Sequence, residues 1–166
     1  CGAEKINDSL RDLIISSELP YQILWATGKK FYAYVKEHIS VKTNHIRIVD
    51  YINNMNEVLS IADLMVCRAG AMTIGEIKEF RVPAILIPFE QAAGNHQYIN
   101  ALELQKAGCA IILEEKKLTG NLLYKSIESI LLDAELLNKM RNNYDKTLID
   151  NSNKKIYESI MKEMGS

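Results

Sequence analysis

Apolar residues in this chain come in short blocks of two kinds, and the two kinds alternate. Blocks such as YQILWATG (21–28), HIRIVDYI (45–52), DLMVC (63–67), VPAILIPF (82–89) and CAIILEE (109–115) have the brevity and composition of strands. Between them, INDSLRDLIISS (6–17), KKFYAYVKEHI (29–39), MNEVLSIA (55–62), TIGEIKEFR (73–81) and HQYINALELQKAG (96–108) repeat apolar residues at helical spacing. Strand and helix in strict alternation predict a parallel sheet with crossover helices. The run AILIPF is apolar without a break, so its strand is expected to be covered on both faces. The fold class that follows is α/β, a Rossmann-like doubly wound parallel sheet. After Glu115 the pattern becomes wholly helical, with helices predicted over 121–133, 135–148 and 153–164 against one side of the sheet. No linker, repeat or low-complexity stretch divides residues 1–166, so one domain is expected.

Composition narrows the partners. With 48% apolar residues among 166, the chain can bury one good core. A formal net charge of -1 gives no reason to expect nucleic acid or an acidic membrane face. The three cysteines, Cys1, Cys67 and Cys109, are far apart and form no Cys-x-x-Cys pair, which suits reduced thiols in a cytoplasmic protein. His38, His45 and His96 are scattered and no acidic pair accompanies them, so neither a metal nor a cofactor is expected. No apolar run approaches the roughly 18 residues of a membrane span, and the chain reads as soluble.

In an open α/β sheet, ligands lie at the carboxyl ends of strands, and three such ends carry unusual residues. In RAGAMTIGE (68–76), Gly70 and Ala71 allow a ligand close to the backbone, and the helix that follows offers free N–H groups to an anion. Thr73 and Glu76 also have the spacing of a capping box, which needs no ligand. Arg68 is either a phosphate partner or one side of a structural ion pair. In PFEQAAGNHQ (88–97), Asn95, His96 and Gln97 open a helix with side chains that both donate and accept, as sugar hydroxyls require. Helix capping by Asn95, with His96 and Gln97 solvated, explains them as well. In DYINNM (50–55), Ile52 offers its backbone to a base or its side chain to a core. The opening CGAEKIND (1–8) is a small-residue turn entering a helix with no strand before it. Gly2 and Ala3 are either the second half of a phosphate loop or a frayed terminus.

Together CRAGAMTIGEI, PAILIPF, NHQYINALELQKAG and GAEKIND resemble the C-terminal domain of the MurG glycosyltransferases over nearly the whole chain. The resemblance implies half of a GT-B fold, the half that binds UDP-GlcNAc while GlcNAc is transferred to lipid I to make lipid II for peptidoglycan. It implies that Glu76 takes the ribose hydroxyls and that Ala71, Met72 and Thr73 hold the diphosphate. Ile52 would meet uracil through its backbone, His96 and Gln97 would reach the sugar, and Gly2 would belong to the second phosphate loop.

Relative to that family, the Gly-Gly-Ser-x-Gly loop is represented only from its end, and its serine and preceding strand are not in the sequence. The family's N-terminal domain, which binds the acceptor, contacts the membrane and supplies the proposed base, is not in it either. The expectation is a donor-binding domain, inactive by itself, of an enzyme at the cytoplasmic face of the cell membrane. Three other readings stand beside it: a UDP-GlcNAc 2-epimerase, a stand-alone donor-binding subunit that needs a membrane-bound partner, and a generic α/β domain with no ligand.

Overall fold

The computed structural model describes residues 3–16, 19–38 and 44–145. The order is α1 (Glu4–Ser16), β1 (Ile23–Ala26), α2 (Lys29–His38), β2 (Ile46–Val49), α3 (Met55–Ile61), β3 (Met65–Cys67), α4 (Ala71–Phe80), β4 (Ala84–Leu86), α5 (His96–Lys106), β5 (Ala110–Ile112) and α6 (Gly120–Leu131). A further helix, α7, runs over 134–145. The strict alternation expected from the sequence is present, and the helix anticipated over 153–164 lies outside the described residues. Strands are shorter than their apolar blocks, because residues such as Val82 and Pro88 are buried beyond the paired ladder.

Every strand pair is parallel, but the pairing falls into two sheets, β1-β2 and β3-β4-β5. Ile23 stands opposite Ile46 in the first sheet, and Ala84 stands between Met65 and Ala110 in the second. Among the described residues, β1 and β3 each pair on one side only. Alternation along β4 assigns the layers. Ala84 and Leu86 pack with Ile74 and Ile77 of α4 and with Ala101 and Leu104 of α5. Ile87 packs with Ile6 of α1 and Leu123 of α6, and Ile85 with Ile130 of α6 and Met140 of α7. Helices therefore cover both faces, as the uninterrupted AILIPF run requires.

α1 joins the two sheets. Its Ile6 and Leu10 lie over the second sheet, while its buried Asn7 binds the first, donating to the Thr27 carbonyl at 2.9 Å and accepting from the Trp25 indole at 3.0 Å. Trp25 in turn meets Phe31 of α2, with ring centroids 6.1 Å apart. α6 approaches α1 so closely that a Cβ at Gly120 would stand 3.0 Å from the Ser9 carbonyl oxygen. Thr119 caps this helix, accepting from the Leu122 N–H at 3.2 Å. Tyr144 of α7 is fully buried and donates to the Val82 carbonyl at 2.7 Å, fixing α7 at the amino end of β4.

Candidate functional site

Two of the three strand ends that carry the unusual residues, those after β3 and β4, lie at the carboxyl edge of the second sheet. β3 is followed by Arg68, Ala69 and Gly70, and α4 begins at once. The capping box expected at Thr73 and Glu76 does not form. Gly70 is the N-cap, no side chain caps the helix, and Ile74 N–H closes the first turn on the Gly70 carbonyl at 2.9 Å. Thr73 is therefore the third residue inside the helix, and the register in which it would cap is lost. The Ala71, Met72 and Thr73 N–H groups are left without a helical carbonyl at the positive end of the helix dipole.

Gly70 itself needs no glycine. Its φ of -67° is open to any residue, and an added Cβ would meet nothing closer than Thr73 Oγ1 at 4.0 Å. Met72 beside it is 83% exposed, an apolar side chain held in solvent at the mouth of the site. Glu76 lies on the same helix, half-buried, close enough for its charge to act on Cys67. Burial first, and the Glu76 charge second, push the Cys67 thiol up to about 12. Burial likewise pushes Cys109 up to about 11. Neither thiol is a nucleophile at neutral pH.

The loop after β4 supplies the second wall. Gly94 and Asn95 are both left-handed, with φ of 60° and 56°, and α5 starts immediately after them. The side-chain cap expected of Asn95 is not made. His96 is exposed, and its imidazole folds over Gly94 so closely that a Cβ there would be 2.9 Å from Nε2. Gln97 turns inward, its Oε1 accepting from the Phe89 N–H at 3.0 Å.

Arg68 proves to be one side of an ion pair, with Glu115 as its partner. It also donates to the Ile87 carbonyl at 3.0 Å. Asn100, which the sequence reading passed over, donates to the Ala69 carbonyl at 3.1 Å and so ties α5 to the loop entering α4. Its one signal was position, a single helical turn beyond His96. Glu115 had no signal, being 47 residues from Arg68. Beside these groups lies a concavity of about 180 Å³ lined by Phe89, Asn95, Tyr98 and Glu115.

Ile52 stands apart. It follows β2 in the first sheet, half-buried next to the 70% exposed Tyr51. Gly2 lies outside the described residues. A larger concavity, about 390 Å³, sits at the opposite end of the strands between Ile61 and Phe80. Its arginines are engaged, Arg141 by Asp63 at 2.8 Å and Arg81 by Asp145 at 2.7 Å. Among the described residues no His, Cys, Asp or Glu side chains cluster as a metal site, and no helix is long and apolar enough to cross a membrane.

Residues 1–161 match the glycosyltransferase family 28 C-terminal domain. The chain is 39% identical over 163 residues to the UDP-N-acetylglucosamine--N-acetylmuramyl-(pentapeptide) pyrophosphoryl-undecaprenol N-acetylglucosamine transferase of Thermoanaerobacter pseudethanolicus, covering 96% of this chain and 45% of the relative. It is 38% identical over 162 residues to the enzyme of the same name from Acetivibrio thermocellus, covering 96% and 44%. It thus spans about half the length of these relatives. The crystal structure of Acinetobacter baumannii MurG is similar, with a TM-score of 0.76 and 28% identity over 88% of this chain and 44% of that one. The glycosyltransferase VinC shares the fold alone, with a TM-score of 0.65 at 15% identity over 83% of this chain and 33% of that one.

Proposed function

The chain belongs to the family of glycosyltransferase family 28 C-terminal domains, and from that premise we propose that it binds the donor UDP-GlcNAc for a hexosyltransferase making lipid II from lipid I. The observation that carries this reading is the uncapped start of α4, opening on the end of β3 beside a glycine that neither conformation nor packing requires. A diphosphate would rest there, its oxygens accepting from the Ala71, Met72 and Thr73 N–H groups. Glu76, on the same helix, would accept from the ribose hydroxyls. Ile52 would meet uracil through its backbone, with Gly2 in the other phosphate loop, and Asn95, His96 and Gln97 would read the GlcNAc hydroxyls.

In the reaction, a hydroxyl of the lipid-linked sugar attacks the anomeric carbon as UDP departs, with inversion. The contribution of this domain is to hold donor and leaving group in line and to stabilise the charge that grows on the diphosphate. The acceptor site and the base belong to the other half of such an enzyme. The whole would work at the cytoplasmic face of the membrane, in cell-wall synthesis, and no nucleic acid is involved.

Titration calorimetry and amide chemical-shift mapping test the proposal. UDP and UDP-GlcNAc should shift Gly70–Glu76 and Asn95–Gln97, and NAD should not. Shifts confined to α6 and α7 would sink it. Transfer of GlcNAc to lipid I by this chain alone would overturn the division of labour.

A further inference from the structure

We infer that Arg68, held by Glu115, is a positioning residue that fixes the loop from Pro88 to Asn95, and so sets the sugar-dependent part of donor affinity. The inference rests on the donor-site reading above. Arg68 leaves the end of β3 with its side chain 15% exposed and crosses to the neighbouring loop, away from solvent. One guanidinium nitrogen donates to the Ile87 carbonyl at 3.0 Å and, at the long distance of 3.4 Å, to that of Pro88. The other nitrogen pairs with Glu115 Oε1, and the guanidinium carbon stands 5.3 Å from the centre of the Phe89 ring. The second Glu115 oxygen is 3.5 Å from the Glu90 N–H, and Gln97 holds the Phe89 N–H.

A rigid planar fork is needed for this, since it reaches a carboxylate, a carbonyl and an aromatic face together. The loop it pins ends in two successive left-handed residues, Gly94 and Asn95. Glycine and asparagine accept that conformation readily, and Asn95, His96 and Gln97 take their directions from the turn. Pairing with a carboxylate whose side chain is itself only 19% exposed also offsets the guanidinium charge. The diphosphate charge then falls to the α4 N–H groups, and Arg68 serves the sugar end.

Two measurements on Glu115→Gln test this. The first uses the unliganded chain, with amide exchange read residue by residue. Exchange at Phe89 and Glu90 should quicken about tenfold while Ala84–Leu86 of β4 stays protected, the scale expected when a charged hydrogen bond is lost. The second compares UDP with UDP-GlcNAc by calorimetry. The gain in affinity that GlcNAc brings should shrink roughly three- to tenfold, with UDP binding unchanged or tighter as Arg68 is freed. Arg68→Lys, which keeps the charge but not the fork, should lose the same gain.

Unchanged exchange in Glu115→Gln would overturn the inference, and so would a parallel fall in affinity for both nucleotides, the mark of a phosphate ligand. If the unaltered chain binds neither nucleotide, the donor-site reading fails, and the part of the inference that depends on it fails too. The exchange measurement still decides whether the clamp exists.

Discussion

Asn7 and Trp25 form a buried hydrogen bond of 3.0 Å between a helix and a strand, and through it α1 holds the first sheet while its Ile6 grips the second. Replacing Asn7 by Ala removes the acceptor and leaves the indole N–H buried without a partner. The expected cost is about 2–3 kcal/mol, the scale of an orphaned buried polar group plus a lost hydrogen bond. Trp25 is the only tryptophan, so its fluorescence reports the transition directly. A midpoint in urea unchanged from the parent would show that α1 is anchored by its apolar face alone.

At Gly70 structure and binding should respond differently. Its φ and ψ of -67° and 150° are accessible to Ala, which narrows the unfolded ensemble, while Ala is a poorer N-cap than Gly. These tendencies offset, so Gly70→Ala should stay within about 1 kcal/mol of the parent in stability. Its methyl would occupy the approach to the α4 N–H groups, and UDP affinity should fall about tenfold, the effect of overfilling a close contact. Equal binding by parent and variant would remove the diphosphate from this turn. Thr73→Ala is the companion variant. As an interior helical position it should change stability by less than about 0.5 kcal/mol, whereas a true cap would cost about 1 kcal/mol.

Glu76→Gln tests the ribose assignment. Glu76 lies within α4, and Gln is as good a helix former as Glu, so stability should shift by less than about 0.5 kcal/mol. Hydrogen bonds to a charged acceptor contribute roughly 1.5–3 kcal/mol against about 1 kcal/mol for a neutral one, so calorimetry should show UDP affinity falling about tenfold. A variant that melts early yet binds UDP normally would make Glu76 structural. Removing its charge should also lower the Cys67 thiol pKa, leaving burial as the remaining cause.

The raised thiols, Cys67 half-buried and Cys109 buried, predict a fall in stability on the alkaline side. Unfolded cysteine ionises near about 8.5, whereas the fold raises Cys67 to about 12 and Cys109 to about 11. A raised thiol pKa stabilises the folded state fully below the unfolded value, and that contribution is lost as pH climbs towards the folded values. Each group contributes a slope of up to about 1.4 kcal/mol per pH unit above the unfolded pKa. Urea midpoints measured from pH 7.5 to 10.5 should therefore decline, and alkylation of Cys67 and Cys109 in the native chain at pH 8 should be slow. A flat profile, or rapid labelling of both, would contradict the raised thiol pKa values.

The elements were legible because each carries its own periodicity, and AILIPF announced a strand covered twice. The register of α4 was not legible. Thr73 and Glu76 have the residue types and spacing of a cap, but the helix starts at Ala71 on the backbone of Gly70, which sends no side-chain signal. The position of Arg68 at a strand end was legible and its partner was not, since an ion pair to Glu115 depends on how three loops meet after β3, β4 and β5. Asn100 was hidden for the opposite reason, as a polar residue on a helix already assigned. Motif spacing located the site, while tertiary contacts determined which side chains face it.

Among the described residues, the sides of β1 and β3 that pair with no strand have a consequence for handling the protein. Ile23 donates to the His45 carbonyl and Thr27 to that of Val49, so alternation leaves the N–H and C=O groups of Leu24 and Ala26 on the other edge of β1. On the other sheet Met65 and Cys67 bond to β4, which leaves Val66 on the open edge of β3. Two such rows are templates for another chain, and Leu24 adds an apolar side chain that is 38% exposed. Sedimentation should show the apparent mass rising with protein concentration, and a lysine at Leu24 should suppress the rise by placing a charge where two edges would zip together.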